Sequence, residues 1–435
     1  MLEAIGVASI EDLFRDVPEE MRMRGELDIA PGMAEQEVTD HLAALAGRNR
    51  HADSEVTFAG AGMYDHYVPA LIDTLLSRSE FLTPYTPYQP EISQGGLQVM
   101  FEFQTAISEL TGLPVSNASM YEGPSSVASA GYLAVLENAR STFVVSRGVH
   151  PHAREALATY ARGFGADIVE VPLGASGATD LDALAAAVDD DTSAVFLQQP
   201  NFLGTVEDLG PLAEAGKRTG GLLVCAVDPL TLGILKPPGE YGVDVAVGEG
   251  QTLGNRLDFG GPSFGFFAAQ EKLLRKMPGR IAGETKDMDG TRGFVLTLQT
   301  REQHIRREKA THNICTSQAL NALAGVVYLS WLGRRGIVEL GELMLQRTHY
   351  ARETLALEPI NPGPVVREFA VRVPDLDDFC ERARAEGINP GYRLGRDYPE
   401  YEDGLLVALT ERRTRADVDR LAALVRAERP AEVVA

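Results

Sequence analysis

The chain has 435 residues, of which 44% are hydrophobic and 23% are charged, enough for one large domain with a buried core and a smaller second domain. Its formal net charge of −22 repels phosphate backbones and anionic lipid heads, which argues against nucleic acid and membrane surfaces as partners. No apolar run approaches the roughly 20 residues of a membrane span, and the acidic start lacks the pattern of an export signal. We therefore expect a cytoplasmic protein that binds small molecules or other proteins.

The first part of the chain predicts a helical arm to about residue 50. An aromatic and proline-rich stretch follows from Phe81 to Pro90, and its three prolines in seven positions exclude regular helix or a central strand. From about residue 142 to 270, short β-branched runs alternate with helical stretches, which is typical of βαβ units and a mostly parallel sheet. The predicted strands, nearly continuously apolar as burial on both faces requires, are Thr142 to Ser146, Asp167 to Pro172, Ser193 to Gln198, Leu222 to Val227, Val243 to Val247 and Phe264 to Ala268.

The last part predicts a long helical region from residue 310 to about 360, followed by a compact α+β domain. Its predicted strands are Val365 to Val373 and Leu405 to Thr410, and residues 431–435 read as a frayed end. The expected organisation is an N-terminal arm (1–60), a large α/β domain (61–310), and a linking helix with a small C-terminal domain (311–435).

Asp228 directly follows the apolar strand Leu222 to Val227, at the end of the strand where open α/β sheets place ligand groups. Pyridoxal-phosphate enzymes of the aspartate-aminotransferase fold, which is fold type I, place an aspartate there to pair with the pyridine nitrogen. A simple Asp-Pro turn with Pro229 explains the same residue about equally well.

Two further motifs fit a degenerate cofactor site. Ser125 and Ser126 open the predicted helix Val127 to Asn138, and a helix N-terminus with hydroxyls can cradle a phosphate. Taken alone, the motif is better explained as an ordinary N-cap. His150, followed by Pro151 and His152, could stack on a cofactor ring, although a His-Pro helix start is the more ordinary interpretation. The predicted site contains no metal.

Gln251 occupies the expected Schiff-base position, between the strand Val243 to Val247 and the glycine-rich turn Gly260-Gly261-Pro262. A glutamine cannot form an imine, so covalent attachment of the cofactor is impossible there. The six lysines of the chain lie in charged or polar contexts and are expected to be surface charges: Lys217, Lys236, Lys272, Lys276, Lys286 and Lys309. Cys225, Cys315 and Cys380 are far apart, which predicts neither disulfides nor a zinc site.

Several stretches together resemble the N-terminal half of glycine cleavage P-proteins, in the form that some prokaryotes make as a separate subunit. They are Tyr64 to Pro69, Thr86 to Gly95, Leu110 to Gly112, Asn117 to Ser119 and the long run Gly293 to Ala310. Gln251 precedes Pro262 by the interval that separates lysine and proline in the catalytic half of that family. One departure is His312, where a small residue is more usual. The cluster of His304, Arg306, Arg307 and Lys309 is expected to be a solvated helix face, or else to meet an acidic partner.

The resemblance implies a subunit that does not itself bind pyridoxal phosphate. The cofactor would sit on a lysine-bearing second subunit, where glycine is decarboxylated and its aminomethyl group passes to the lipoyl arm of the H-protein. The T- and L-proteins would be further members of the system. Dimers of this fold build each active site from both protomers. The resemblance therefore implies that Thr86, Pro87, Tyr88 and Gln89 line the partner's glycine pocket, with Tyr64, His66 and Tyr67 beside them, and that Gly260, Gly261 and Pro262 approach the partner's phosphate.

Two other interpretations remain open from the sequence. The chain could be an independent pyridoxal-phosphate enzyme that uses one of its six lysines. It could also be a non-catalytic scaffold that stabilises its partner or docks the H-protein.

Overall fold

The structure, a computed structural model, describes residues 1–427, so the predicted frayed end at 431–435 lies outside the described residues. The chain forms two compact units, one from Met1 to His51 and one that begins at Ala52. The first unit contains α1 and α2, as expected of a helical arm, and it ends at His51 rather than near residue 60. The remaining elements belong to the second unit.

The helices, in chain order, are α1 (Leu2–Ile5), α2 (Glu35–Ala46), α3 (Ala70–Leu76), α4 (Ser79–Leu82), α5 (Gln94–Thr111), α6 (Gly123–Asn138), α7 (Pro151–Phe164), α8 (Leu181–Ala187), α9 (Leu209–Lys217), α10 (Gln303–Arg306), α11 (Ala319–Leu355), α12 (Leu376–Ala385) and α13 (Arg415–Arg426). The strands are β1 (Val56–Thr57), β2 (Val115–Ser116), β3 (Thr142–Ser146), β4 (Asp167–Val171), β5 (Thr192–Gln199), β6 (Leu222–Val227), β7 (Val245–Glu249), β8 (Gly265–Ala269), β9 (Ile281–Lys286), β10 (Arg292–Thr297), β11 (Glu358–Pro359), β12 (Glu368–Arg372), β13 (Ile388–Asn389), β14 (Tyr392–Arg393) and β15 (Gly404–Ala408). No helix among residues 1–427 is long and apolar enough to cross a membrane.

The large domain is built on a seven-stranded sheet in the order β2-β8-β7-β6-β5-β3-β4. The five strands from β3 to β7 are parallel, and β8 runs antiparallel to β7 and β2. All six predicted strands are confirmed, with ends that differ by at most two residues. Strand β6 is buried along its whole length, as expected for a strand covered on both faces. One face packs against α6 and α7, the other against α5, α9 and α11.

The predicted helices required two corrections. The helical region expected from residue 310 begins only at Ala319, and Gly333 interrupts it with a φ of 60° and a ψ of −178°. Glycine adopts these angles without the steric cost that a Cβ would bring. The proline-rich stretch is irregular from Thr83 onward, but Phe81 and Leu82 close the short helix α4, whose end lies just before the first proline.

The small domain contains an antiparallel sheet in the order β11-β12-β15-β14, packed against α12 and α13. Both predicted strands are present, shortened to Glu368–Arg372 and Gly404–Ala408. Strand β1 pairs in parallel with β13, and Ala408 N donates to Phe58 O at 2.8 Å. Residues 56–58 therefore belong with this domain and not with the N-terminal arm, because their hydrogen bonds go to strands of the small domain.

Candidate functional site

A cavity of about 400 Å³ lies at the carboxyl ends of β6 and β7. Its walls come from the turn at Ala61 to Tyr64, the start of α6 at Gly123, the strand ends at Asp228 and Glu249, and Arg367 from the small domain. The carboxyl edge of a parallel sheet is where open α/β folds bind ligands. The cavity lies at the sheet edge where the sequence predicts the site, and its chemistry depends on the side chains in each wall.

Asp228 forms an ion pair with Arg367 in the wall of the cavity. The Arg367 Nη2 lies 2.6 Å from Asp228 Oδ2, and Asp228 Oδ1 accepts from Leu230 N at 3.1 Å. The second contact is the turn that the Asp-Pro sequence suggested. Both oxygens thus have partners within the chain, and a guanidinium occupies the position of the charge partner that a pyridine nitrogen would otherwise supply.

Arg367 is the centre of a buried network that also contains two of the predicted pocket residues. Its guanidinium lies 3.4 Å from the ring centroid of Tyr64, and its Nη1 donates to His66 Nε2 at 2.7 Å. The opposite ring nitrogen of His66 is 2.6 Å from Glu411 Oε2. Tyr64 therefore lines this chain's own cavity, and His66 is buried behind Arg367. Tyr67 is exposed beside them, and its backbone N donates to Glu411.

Glu368, next to Arg367 in the chain, is held by the same turn. It accepts hydrogen bonds from the Tyr64 hydroxyl and, at 2.7 Å, from Ala61 N. Burial raises the pKa of Glu368 to about 6 and raises the pKa of Tyr64 well above its usual value. The sequence analysis missed Arg367, Glu368 and Glu411. Two consecutive charged residues inside the predicted apolar strand Val365 to Val373 were the available signal, because a buried strand carries charge only when the charge has partners.

Gln251 is fully buried and hydrogen-bonded through both ends of its amide. Its Oε1 accepts from Tyr64 N at 2.9 Å, and its Nε2 donates to Tyr64 O at 3.0 Å and to Asn255 O at 2.9 Å. The glutamine thus fastens the Tyr64 turn to the sheet, which a lysine could not do, since an ammonium accepts no hydrogen bond.

The N-terminus of α6 is occupied by carboxylates from the chain itself. Glu122 caps the helix by accepting from Ser125 N at 3.0 Å, and Glu249 Oε2 accepts from Gly123 N at 2.9 Å. The Ser125 and Ser126 hydroxyls donate back to Glu122 O at 3.2 and 2.7 Å. Burial raises the pKa of Glu249 to about 7. The N-cap interpretation is confirmed, and the amides of Gly123 and Ser125 already have carboxyl partners from the chain itself.

His150 lies in the cavity wall and is tied to the chain at both ring nitrogens. Its Nε2 is 2.9 Å from Ala61 O, and its Nδ1 accepts from His152 N at 3.1 Å. Burial lowers its pKa to about 4, so the ring is neutral at pH 7. The helix α7 begins directly after it at Pro151, which confirms the His-Pro helix start.

The glycine-rich turn is exposed and lies at the rim of the cavity. Gly260 and Gly261 have φ values of 109° and 124°, and a Cβ at Gly260 would meet nothing within 4 Å. These glycines are therefore needed for the backbone conformation and not to avoid a clash. Asn321 Nδ2 donates to Pro262 O at 3.1 Å and holds the end of the turn.

The predicted substrate loop lies in a different environment. Pro87 is buried, Thr86 and Tyr88 are half-buried, and Gln89 is exposed. Arg280 Nη2 donates to the Tyr88 hydroxyl at 2.8 Å, and the His304 ring meets the Tyr88 ring edge-on at 5.1 Å. Tyr64 and His66 belong to the network of Arg367, and their place beside the partner's pocket stays a prediction. Arg280 was also missed by the sequence analysis.

The lysines lie away from the cavity, and none lines it. Lys217 and Lys272 both approach Asp244 at 3.1 Å, Lys236 pairs with Glu240, and Lys276 pairs with Glu137. Lys286 and Lys309 are exposed. The three cysteines are free, and among residues 1–427 no group of three or more histidine, cysteine and acidic residues could hold a metal ion.

This combination of a seven-stranded, mostly parallel sheet, a cavity at its carboxyl edge and a small C-terminal α+β domain is the architecture of pyridoxal-phosphate enzymes of fold type I. A sphingosine-1-phosphate lyase of Burkholderia pseudomallei superposes with a TM-score of 0.67 over 93% of this chain and 92% of that one, at 15% identity. A NifS-like protein gives 0.63 over 86% and 98%, at 14% identity. At such identities the likeness shows the fold alone.

The family model described as glycine cleavage system P-protein matches residues 1–425, and the chain belongs to this family. It is 50% identical over 432 residues to a probable glycine dehydrogenase (decarboxylating) subunit 1 of Carboxydothermus hydrogenoformans, covering 99% of this chain and 97% of that protein. A relative of the same name in Geobacillus thermodenitrificans is 50% identical, with coverages of 97% and 94%. A crystal structure of glycine decarboxylase (P-protein) in inhibitor-bound form superposes with a TM-score of 0.90, at 43% identity, over 98% and 97% of the two chains.

Pyridoxal phosphate takes part in the chemistry of the P-protein family, but the cavity of this chain does not fit it. Gln251 offers no amine, and Asp228 is already paired with Arg367. A phosphate at the start of α6 would meet the carboxylates of Glu122 and Glu249 in place of free amides. The Glu122 carboxylate would repel a phosphate bound there, and Glu249 already takes up the Gly123 amide.

Proposed function

We propose that this chain is one of the two subunits of a glycine decarboxylase, and that it is the subunit that does not bind pyridoxal phosphate. We also propose that it acts in the cytoplasm. A second, lysine-bearing subunit holds the cofactor and decarboxylates glycine. The aminomethyl group then passes to the lipoylated H-protein, with the T- and L-proteins completing the glycine cleavage system. This chain supplies structure and side chains to its partner's active site.

The observation that carries this proposal is the internal hydrogen bonding of Gln251, Glu249 and Arg367. Each of the three positions that would hold the amine, the phosphate or the pyridine nitrogen of a cofactor is occupied by a side chain with its own partners. Displacing all three would leave buried polar groups unpaired, at a cost of about 1–3 kcal/mol for each neutral group and more for each charge. The family's chemistry therefore belongs to another chain.

The contribution of this chain to the partner's site is the loop Thr86 to Gln89, together with the turn Gly260 to Pro262. The loop presents the Tyr88 hydroxyl and the exposed Gln89 side chain. The turn presents backbone without side chains at Gly260 and Gly261, which lets it approach a phosphate closely. Tyr64 and His66 act indirectly, because Gln251 holds Tyr64 in the wall of this chain's own cavity and Arg367 binds His66 in the network behind it.

Docking of the H-protein is the second interaction that we assign to this chain. Arg306, Arg307 and Lys309 are exposed, and their segment adjoins the loop through the contact between His304 and Tyr88. In a chain with a net charge of −22, an exposed basic segment is suited to an acidic partner.

The rival interpretations make different predictions for one experiment. The subunit alone, the partner alone and their mixture are treated with borohydride and mapped, and glycine–bicarbonate exchange is followed with H-protein. We expect cofactor label only on the partner, and exchange that requires both chains. Label on one of the six lysines of this chain would make it an independent enzyme. If a mixture containing the Tyr88→Phe and Gln89→Ala variants of this chain exchanged bicarbonate at the wild-type rate, the chain would be a scaffold that adds no side chains to the site.

A further inference from the structure

Arg280 is held in place by several of the stretches that carry the family resemblance, although it lies in none of them. Asn117 Nδ2 donates to Pro278 O at 3.0 Å, and Arg301 Nη2 donates to Gly279 O at 3.1 Å. Ala118 N donates to Arg280 O at 2.8 Å. Gly279 has a φ of 76°, and a Cβ there would lie 2.7 Å from Asn117 Nδ2. The backbone at Arg280 is therefore fixed from both sides before its side chain makes any contact.

The side chain of Arg280 is fully buried and points to Tyr88. Its Nη2 donates to the Tyr88 hydroxyl oxygen at 2.8 Å, and its guanidinium carbon lies 4.5 Å from the centroid of the same ring. Both contacts are favourable for a cation. The arginine thus fixes the position of the phenol and the direction from which its oxygen accepts a hydrogen bond.

The positive charge of Arg280 is only weakly compensated. Its one carboxylate neighbour, Glu302, keeps Oε2 3.9 Å from Nε, beyond hydrogen-bond distance. Arg280 Nε and Nη1 and Glu302 Oε1 are buried without hydrogen-bond partners among residues 1–427. The other groups nearby add no negative charge: burial lowers the pKa of His312 to about 4, which leaves that ring neutral, and Arg301 is a second cation.

A phenol oxygen that accepts from a guanidinium directs its own proton elsewhere. No acceptor for the Tyr88 proton lies within hydrogen-bond distance among residues 1–427, whereas the Tyr64 hydroxyl has one in Glu368. The hydroxyl of Tyr88 is therefore a polarised donor with a free direction, and the ligand group that such a donor prefers is an anionic oxygen.

We infer that Arg280 is a positioning residue that commits the Tyr88 hydroxyl to donate a hydrogen bond to the carboxylate of glycine in the partner's active site. The inference rests on the proposed function, in which Tyr88 lines that pocket. Glycine offers only an amine and a carboxylate for recognition. The amine is engaged by the partner's cofactor, so the carboxylate, which leaves as CO₂ only in the reaction step, is the group that a donor can recognise when the substrate binds. The pair of Arg280 and Tyr88 thus selects for a free carboxylate next to the amine.

The test uses the complete complex of this chain with its lysine-bearing partner and H-protein. Glycine–bicarbonate exchange is measured for wild type, Tyr88→Phe, Arg280→Lys and the double variant. We expect Tyr88→Phe to raise KM for glycine about tenfold with kcat changed less than about threefold, because a ground-state contact is lost. Arg280→Lys should raise KM by about fivefold, since an ammonium cannot stack and donate as a guanidinium does. The double variant should be no worse than Tyr88→Phe alone, because Arg280 acts through that hydroxyl.

Two controls separate positioning from damage to the fold. Tyr85→Phe removes the hydroxyl of a neighbouring tyrosine that is 79% exposed, and it should leave KM unchanged. Inhibition by methylamine, which has the amine but no carboxylate, should change less than about twofold in Tyr88→Phe and Arg280→Lys. Thermal unfolding of each variant reports whether the complex still folds.

The outcomes distinguish the two levels of the proposal. A wild-type KM for Tyr88→Phe would show that the loop does not line the glycine pocket, and the proposed function of the loop would fall. A raised KM for Tyr88→Phe together with a wild-type KM for Arg280→Lys, or with effects that multiply in the double variant, would overturn only the role of Arg280. Equal losses for glycine and methylamine would contradict recognition of the carboxylate.

Discussion

Two buried arginines of this chain each stack on a tyrosine, and their surroundings differ. Arg367 lies over Tyr64, with Asp228 at 2.6 Å and His66 at 2.7 Å, and the Tyr64 hydroxyl donates to Glu368. Arg280 lies over Tyr88 with a single carboxylate at 3.9 Å, and the Tyr88 hydroxyl has no acceptor among residues 1–427. Among residues 1–427, Arg367 Nε and Arg280 Nε both lack a hydrogen-bond partner, but the Tyr64 hydroxyl donates to an acceptor within the chain whereas the Tyr88 hydroxyl donates to none.

The difference fits the proposal that this chain has lost its own cofactor site and contributes to that of its partner. At the Arg367 cavity, Asp228, Gln251 and Glu249 are hydrogen-bonded or ion-paired within the chain, which suits a structural role. At the Arg280 loop, the Tyr88 hydroxyl keeps a donor direction that a bound molecule can use. Substitutions in and around the Arg367 cavity test whether this region is structural and unable to bind a cofactor.

The largest effect is expected for Arg367→Met. Removing the guanidinium leaves the half-buried carboxylate of Asp228 without its charge partner and deprives His66 of its donor, so the free energy of unfolding should fall by about 3 kcal/mol. Urea unfolding of the isolated subunit measures this. Arg335→Met, on an arginine whose side chain is 91% exposed, should change it by less than about 0.5 kcal/mol. If Arg280→Met costs as much as Arg367→Met, the contrast between the two regions is wrong.

Glu249→Gln should change how stability depends on pH. The folded pKa of Glu249 is about 7, above its ordinary value of 4.5, so the folded state holds the proton more tightly. The stabilising contribution is complete below pH 4.5 and is lost as the pH rises through 7, by at most about 3 kcal/mol. The free energy of unfolding is measured for wild type and Glu249→Gln between pH 5 and 8. The difference between the two free energies should shrink or change sign as the pH rises. If the difference in unfolding free energy stayed constant over this range, the pKa of Glu249 would not be raised in the folded state.

Gln251→Lys tests whether the cavity can be returned to cofactor binding by one substitution. We expect no imine with pyridoxal phosphate, because Glu122, Glu249 and Arg367 still occupy the other positions. Stability should fall by about 2 kcal/mol, since Tyr64 N loses its acceptor. Absorbance and borohydride trapping measure whether an imine forms, and thermal unfolding measures the loss of stability. Gln98→Lys, on an exposed face of α5, is the control, and cofactor trapped at residue 251 would contradict a closed cavity.

The smallest effect is expected for Gly260→Ala. A Cβ there meets nothing, but the φ of 109° is unfavourable for alanine, so stability should fall by about 1 kcal/mol. Gly163→Ala, in α7 with equally open space and helical backbone, should be neutral or gain up to about 1 kcal/mol. Thermal midpoints of the two variants provide the comparison. A loss of exchange activity in Gly260→Ala beyond its effect on stability would support the approach of this turn to the partner's phosphate.

The sequence was informative where a local pattern decides the structure. Apolar runs such as Leu222 to Val227 gave the strands, and a lysine-free position before a glycine-rich turn singled out Gln251. The partners of these residues were not predictable, because they come from distant parts of the chain: Arg367 reaches Asp228, and Tyr64 reaches Gln251. A sequence pattern does not indicate which buried charged residues will form ion pairs with each other.

The same reason explains why the sequence did not predict the contacts of the pocket residues within this chain. Tyr64 and Tyr88 are both aromatic residues in stretches that carry the family resemblance, so the sequence grouped them together. Only the folded chain shows that the Tyr64 hydroxyl donates a hydrogen bond to Glu368, whereas the Tyr88 hydroxyl accepts one from Arg280. The start of α11 was misplaced because residues 310–318 are compatible with a helix by composition, and their turns are set by contacts such as Cys315 N to Tyr121.

The pairing of β1 with β13 has a consequence for how the chain is made. Val56 and Ile388 are about 330 residues apart in sequence, yet they are neighbours in one parallel ladder. During synthesis, residues 56–58 must wait for almost the whole chain before their hydrogen bonds can form, and closing so long a loop is slow. The large sheet can assemble on the ribosome, but the small domain that delivers Arg367 can be completed only after the C-terminal strands have emerged.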